Sequence, residues 1–290
     1  MRSADRADPM PSWRGGSTRD DIDRFLAASH EHAPPDRVAV FDNDGTLWCE
    51  RPAYPQLSFF VDELKKIARE DPVRAERAEY AALLRHDAAR ISELGLPRIA
   101  MALAELFIGM SPDEFSERCR RFVTTAVNPM VGSTFAESVY QPMLELLEAL
   151  RAHGFTTFIV TGGGTEFVRA VSEELYGVPP ERVVGTMIGY EYVTQEGTPA
   201  LVRTADLVGV ANEGAAKVIN IRQQLGRRPV LAAGNSLGDR EMIDWAVAAD
   251  GPTLGLLIDH DDAEREDSYA SVAGSFESSE SVVDVGRRSG

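Results

Sequence analysis

The sequence predicts an α/β protein, a three-layer core around a parallel sheet with an all-helical module inserted in it. Three observations carry this. Short apolar runs rich in β-branched residues alternate with helical patterns. Each of three such runs delivers polar groups into a following turn: Phe41 into Asp42, Val160 into Thr161, and Ala233 into Gly234-Asn235-Ser236-Leu237-Gly238-Asp239. Finally, the 119 residues from Asp42 to Thr161 far exceed the one-helix crossover that joins two parallel strands.

Residues 1–17 are polar, with Pro9, Pro11, Gly15 and Gly16, and read as a disordered arm. Thr18, Asp20 and Asp21 open a short helix through Ile22, Phe25 and Leu26, which ends before Pro34-Pro35. The first strand follows at about 37–42, and Gly45 supplies the turn that stops it. Apolar stripes then recur at helical spacing: Leu57, Phe60, Val61, Leu64 and Ile67, then Ile99, Leu103, Leu106 and Phe107, then Phe115, Cys119, Phe122 and Val123. Ser111-Pro112-Asp113-Glu114 is a helix start, and the charged stretch Asp71 to Arg90 is rich in helix formers. A helix at 139–153, with Val139, Met143, Leu146, Leu147 and Leu150 on one face, returns the chain to the sheet.

Strand 156–160, a helix near 165–176, a hairpin of short strands near 182–203, and a helix near 212–225 come next. Strand 229–233, helix 239–247 and strand 253–258 complete the alternation. The predicted organisation is therefore a core of residues 18–52 and 138–260, a helical insert at 53–137, and a loosely ordered tail at 261–290, where charge, serine and glycine dominate.

At 290 residues and 43% apolar content the chain can bury a substantial core. Its net charge of -16 repels nucleic acid and anionic membrane surfaces. A phosphorylated substrate is equally disfavoured unless a bound cation and a local basic group reverse the potential at the site. Cys49 and Cys119 are far apart and suggest neither a disulfide framework nor a zinc site. The five histidines are scattered without metal-ligand spacing. The first 18 residues lack the apolar segment of a signal peptide, and no run is long enough to span a bilayer, so a cytoplasmic setting is expected.

The chemistry concentrates at strand ends, where reactive groups gather in open α/β sheets. Val38-Ala39-Val40-Phe41 leads into Asp42-Asn43-Asp44-Gly45-Thr46, which sets two carboxylates two residues apart. Thr161-Gly162-Gly163-Gly164 offers a hydroxyl and several backbone N–H groups at the start of a helix, a cradle for an anion. Only three lysines occur, at 65, 66 and 217, so Lys217 in a helix stands out as a site that uses a compact ammonium in an arginine-rich chain.

In order, Asp42/Asp44, Thr161, Lys217 and Asn235/Asp239 resemble the four motifs of the haloacid dehalogenase-like (HAD) hydrolase superfamily, and the match spans about 38–240. The insert after the first motif looks like the helical cap of its phosphoserine-phosphatase-like branch. The resemblance implies a Rossmann-like core and a Mg²⁺-dependent phosphomonoesterase acting on a small phosphorylated metabolite. It casts Asp42 as the nucleophile that becomes an aspartyl phosphate, and Asp44 as the acid and base. Thr161, Gly162 and Lys217 would hold phosphoryl oxygens, and Asp42, the Asp44 carbonyl, Asn235 and Asp239 would supply metal ligands. Asn235 stands where many members have an aspartate, which implies weaker magnesium binding. Glu50 lies near the place of a glutamate that meets the substrate amine in phosphoserine phosphatases, one residue off their spacing; a solvated loop acid is the other reading.

Asp44 argues against a dehalogenase, which needs no acid at that position, and the lack of membrane spans argues against the ion pumps. Two alternatives stay open: a phosphotransferase on the same fold, and a catalytically weakened binding or regulatory protein. The sequence offers no argument on oligomeric state.

Overall fold

The computed structural model describes residues 8–271. Six strands form one sheet in the order β4-β3-β2-β1-β5-β6. They are β1 (Val38–Phe41), β2 (Thr156–Gly164), β3 (Val183–Gln195), β4 (Thr198–Val208), β5 (Leu231–Gly234) and β6 (Leu254–Leu257). All pairings are parallel except β3 with β4. The sheet is thus mixed, mostly parallel and flanked by helices, an α/β core. The central strand β1 is buried along its whole length, as its unbroken apolar sequence requires when both faces are covered.

Helix α1 (Ser17–Ala28) precedes β1, and six helices fill the insert: α2 (Pro55–Glu70), α3 (Pro72–Ala75), α4 (Ala78–Leu84), α5 (Ala88–Leu94), α6 (Leu96–Ala104) and α7 (Pro112–Thr125). The charged stretch from Asp71 to Arg90, expected as a helix, is broken. The Asp71 and Asp87 side chains accept from the backbone N–H of Arg74 and Arg90, so each starts a new helix and ends the one before. Leu64, Tyr80, Leu83, Ile99, Ala102 and Leu103 form a separate small core for these helices. Phe59 instead reaches the main core, where it stacks on Phe107 and meets Phe167 of the α/β domain with ring centroids 5.6 Å apart.

Beyond the insert, α8 (Gln141–Ala152) buries Met143, Leu146, Leu147 and Leu150 against the sheet. The helix expected near 165–176 is two short ones, α9 (Thr165–Arg169) and α10 (Ser172–Tyr176). The expected short-stranded hairpin is long, since β3 and β4 extend together through Thr198 and Val208. Helices α11 (Ala215–Leu225) and α12 (Arg240–Val247) complete the fold. Among the described residues no helix is long and apolar enough to cross a membrane.

Two expectations about the ends are corrected. Residues 8–16, taken as part of a disordered arm, are packed: Met10 is completely buried, Ser12 bonds Glu145, and the Trp13 indole donates to the Pro142 carbonyl. Residues 261–271, taken as part of a loose tail, fold back onto the loop that follows β1, anchored by His260 and Tyr269. In both segments a few large apolar or aromatic groups outweigh a polar average. Residues 1–7 and 272–290, the rest of the expected arm and tail, lie outside the described residues.

Candidate active site

Asp42 sits at the carboxyl end of β1, its N–H donating to the Ala233 carbonyl of β5 at 2.9 Å. The chain then folds over itself, because the Asn43 carbonyl accepts from the N–H groups of Thr46, Leu47 and Trp48. Gly45 holds this turn at φ 74°, and a Cβ there would stand 1.9 Å from Asn235 Nδ2. Glycine is required on both counts. The turn therefore places Asp42, Asp44 and the β5 loop against one another.

Lys217 projects from α11 into this cluster. Its ammonium donates to Asp42 Oδ1 at 2.6 Å, to Asp239 Oδ1 at 2.5 Å and to the Val160 carbonyl at 2.9 Å. The lysine is 2% exposed, so all three of its protons are spent on these partners. Burial works to lower its pKa, but Asp239 and Asp42 outweigh that and hold it above the ordinary lysine value. Burial and the Asp239 charge push Asp42 well up, against the pull of Lys217. Asp42, Asp44 and Asp239 face one lysine, a cluster short of positive charge.

Asp44 is held apart from this group. The Trp48 indole N–H donates to Asp44 Oδ1 at 2.8 Å. Burial pushes the Asp44 carboxyl up to about 6, although the Trp48 bond pulls the other way. A carboxyl near that value can give and retake a proton close to neutral pH.

Thr161 ends the straight part of β2, fully buried, and its hydroxyl accepts from the Gly163 N–H at 3.0 Å. Asn212 bonds the Thr161 and Val184 carbonyls and so fixes the edge of the glycine turn. The Gly164 N–H donates to Gln56 Oε1 at 2.7 Å, which brings the first turn of α2 against the glycine turn. A Cβ on Gly162 would meet the Glu213 carboxylate at 2.9 Å, so this glycine permits a close approach.

The Asp239 carboxylate meets protein donors on both of its oxygens. Its Oδ2 accepts from the N–H groups of Asn235 and Ser236 and from the Ser236 hydroxyl, while Oδ1 takes Lys217. It anchors Lys217 and closes the 235–239 turn. Glu50 Oε1 accepts from Asn235 Nδ2 and from the Tyr269 hydroxyl, each at 2.9 Å. Burial pushes the Glu50 carboxyl up.

The remaining oxygens suit a hard divalent cation. Among the described residues, Asp42 Oδ2 and the Asp44 main-chain carbonyl accept no hydrogen bond, and Asn235 Oδ1 has only a 3.5 Å approach from Thr46. No three His, Cys, Asp or Glu side chains gather as a metal cluster among the described residues. An all-oxygen set of one carboxylate, one main-chain carbonyl and one amide fits magnesium, with one negative charge fewer than an aspartate at 235 would give.

Sequence reasoning thus found Asp42, Asp44, Thr161, Gly162, Lys217, Asn235, Asp239 and Glu50, which the structure brings to one end of the sheet. It missed Trp48 as the partner of Asp44, and Gln56, Asn212, Tyr269 and His260. Trp48, four residues from Asp44, was the one a local reading had a signal for.

An α/β core with paired aspartates at the central strand, a buried lysine between carboxylates and a helical insert defines a hydrolase of a known kind. The haloacid dehalogenase-like hydrolase family matches residues 39–244, and the chain belongs to that family. Solved structures of similar fold include a functionally unknown protein from Anaerococcus prevotii, at 14% identity and TM-score 0.51, covering 79% of this chain and 82% of that one. A protein of unknown function from Bordetella pertussis aligns at 17% identity and TM-score 0.48, over 72% of this chain and 86% of its own. A probable phosphoserine phosphatase from Vibrio cholerae aligns at 17% identity and TM-score 0.40, over 75% of this chain and 54% of its own. No curated protein matches the sequence.

Proposed function

We propose that this protein is a Mg²⁺-dependent phosphomonoesterase of a small phosphorylated metabolite, working through an aspartyl phosphate on Asp42. The observation that carries the reading is the unequal treatment of the two aspartates. Asp42 is oriented by Lys217, whereas Asp44 is held by Trp48 and pushed up to about 6. One carboxylate is thereby fixed for attack and the other tuned for proton transfer.

In the first step the Asp42 carboxylate attacks phosphorus, the bond to the ester oxygen breaks, and Asp44 gives its proton to the departing alcohol. In the second, Asp44 takes a proton from water as that water attacks phosphorus, which breaks the Asp42–phosphorus bond and releases phosphate. Thr161 and the N–H groups of the glycine turn would hold phosphoryl oxygens, with Gln56 yielding the Gly164 N–H. Lys217 orients Asp42 and lends positive charge to the transferred group. The Asp42 carboxylate, the Asp44 carbonyl and Asn235 Oδ1 would hold Mg²⁺, which neutralises charge on the phosphoryl group when bound. The helical insert covers the site through Gln56 and makes the reaction selective.

Hydrolysis of p-nitrophenyl phosphate with Mg²⁺ tests this. The wild-type protein is expected to turn it over and Asp42→Asn to lose at least about a thousandfold in kcat, the order expected when a nucleophile is removed. Equal rates in the two proteins would overturn the assignment. An added alcohol acceptor distinguishes hydrolysis from phosphotransfer.

A further inference from the structure

The side chain at 235 is an amide, which presents an oxygen or an NH₂ depending on how it is turned. Here the partners decide. Glu50 Oε1, a carboxylate oxygen that can only accept while ionised, lies 2.9 Å from Asn235 Nδ2, and Ser271 Oγ lies 3.0 Å from the same nitrogen. The amide oxygen is left facing Thr46, whose hydroxyl lies 3.5 Å away in the loop that carries Asp42 and Asp44. Glu50 is itself fixed by the Tyr269 hydroxyl, whose ring stacks on His260 with centroids 4.5 Å apart. His260 Nε2 closes the circuit on the Gly45 carbonyl at 2.8 Å.

We propose that Glu50 is a positioning residue for the metal site. It turns the Asn235 carbonyl oxygen toward the Asp42/Asp44 loop and supplies, one residue further out, the negative charge that an aspartate at 235 would carry. The 260–271 segment is part of this device, since Tyr269 and Ser271 complete the bonds around the Glu50–Asn235 pair. The inference rests on the metal dependence proposed above. It does not need Glu50 to touch substrate.

The physical consequence is a reversal of sign. With asparagine at 235, a carboxylate at 50 is the matching acceptor for its NH₂. With aspartate at 235, the same carboxylate opposes a like charge across the distance of a hydrogen bond, and an amide at 50 becomes the matching donor.

Calorimetric titration of the full-length wild type, Glu50→Gln, Asn235→Asp and the double variant with MgCl₂ alone reads this without turnover. Glu50→Gln is expected to weaken Mg²⁺ binding about 10-fold or more in the wild-type background, the usual cost of losing an outer-shell partner. In the Asn235→Asp background the same change is expected to tighten it, so the double variant rescues binding. Circular dichroism of each variant checks that the fold persists, and rescue cannot come from a fold that is lost. A Glu50→Gln effect of the same sign and size in both backgrounds would overturn the inference while leaving the metal reading intact. Absence of Mg²⁺ binding in the wild type would overturn both.

Discussion

The Trp48 indole donates to Asp44 Oδ1 across 2.8 Å, and both residues belong to the turn that follows the central strand. The indole is buried, packed against Phe167 and Tyr176, so it cannot swing away from the carboxylate. This bond favours ionised Asp44 while burial favours the neutral acid, and the balance stands at about 6.

Trp48→Phe keeps the ring but removes the donor. Ionised Asp44 then loses a partner, so its pKa rises. p-Nitrophenolate leaves without help from an acid, and kcat for p-nitrophenyl phosphate then depends on Asp44 as base. The acid limb of the kcat profile is expected to move to higher pH by about one unit, the size of a hydrogen bond to a charged group. An unmoved limb would show that Trp48 does not tune Asp44.

Lys217→Met tests the lysine as counter-ion. The substitution leaves Asp42 and Asp239 buried together with no cation, which typically costs about 3–5 kcal/mol. Asp42 is already pushed well up, and loss of Lys217 pushes it further. A carboxyl whose folded pKa exceeds its unfolded one stabilises the fold below the unfolded pKa, and that contribution disappears as pH rises through the folded pKa. The stability deficit of the variant, measured by urea unfolding, is therefore expected to grow as pH rises above the ordinary carboxylate range. A deficit that shrinks over that rise would contradict the counter-ion role.

The strand-end chemistry was legible in sequence because each group sits beside its own apolar run. Asp42 and Asn235 follow β1 and β5 by simple position, Thr161 follows the apolar run within β2, and Lys217 stood out by lysine scarcity. Gln56, Asn212 and Tyr269 carry no such local mark. Gln56 reaches Gly164 across 108 residues of chain, and Tyr269 reaches Glu50 across 219. Only tertiary placement reveals them. Composition also misjudged residues 261–271, since two stacked rings fix a segment whose average is polar. The bond from Lys217 to Asp239 was equally hidden, because a carboxylate near a metal motif looks the same in sequence whether or not it also anchors a lysine.

The closing segment makes one more prediction, about His260. Its ring is 2% exposed, with Nδ1 bonded to Glu266 and Nε2 to the Gly45 carbonyl, each at 2.8 Å. Burial lowers its pKa, but Glu266, the Gly45 carbonyl and the charge of Glu50 together raise it above the ordinary value. A histidine with a raised folded pKa contributes stability that is fully present below the unfolded value of about 6.5 and is lost as pH rises through the folded one. His260→Phe retains a ring to stack on Tyr269 but removes the charge. Its deficit in unfolding free energy is expected to be largest below the unfolded histidine value of about 6.5 and to shrink as pH rises above it. A deficit constant across that range would mean that His260 holds the segment by packing alone, with no share from its bonds to Glu266 and to the Gly45 carbonyl.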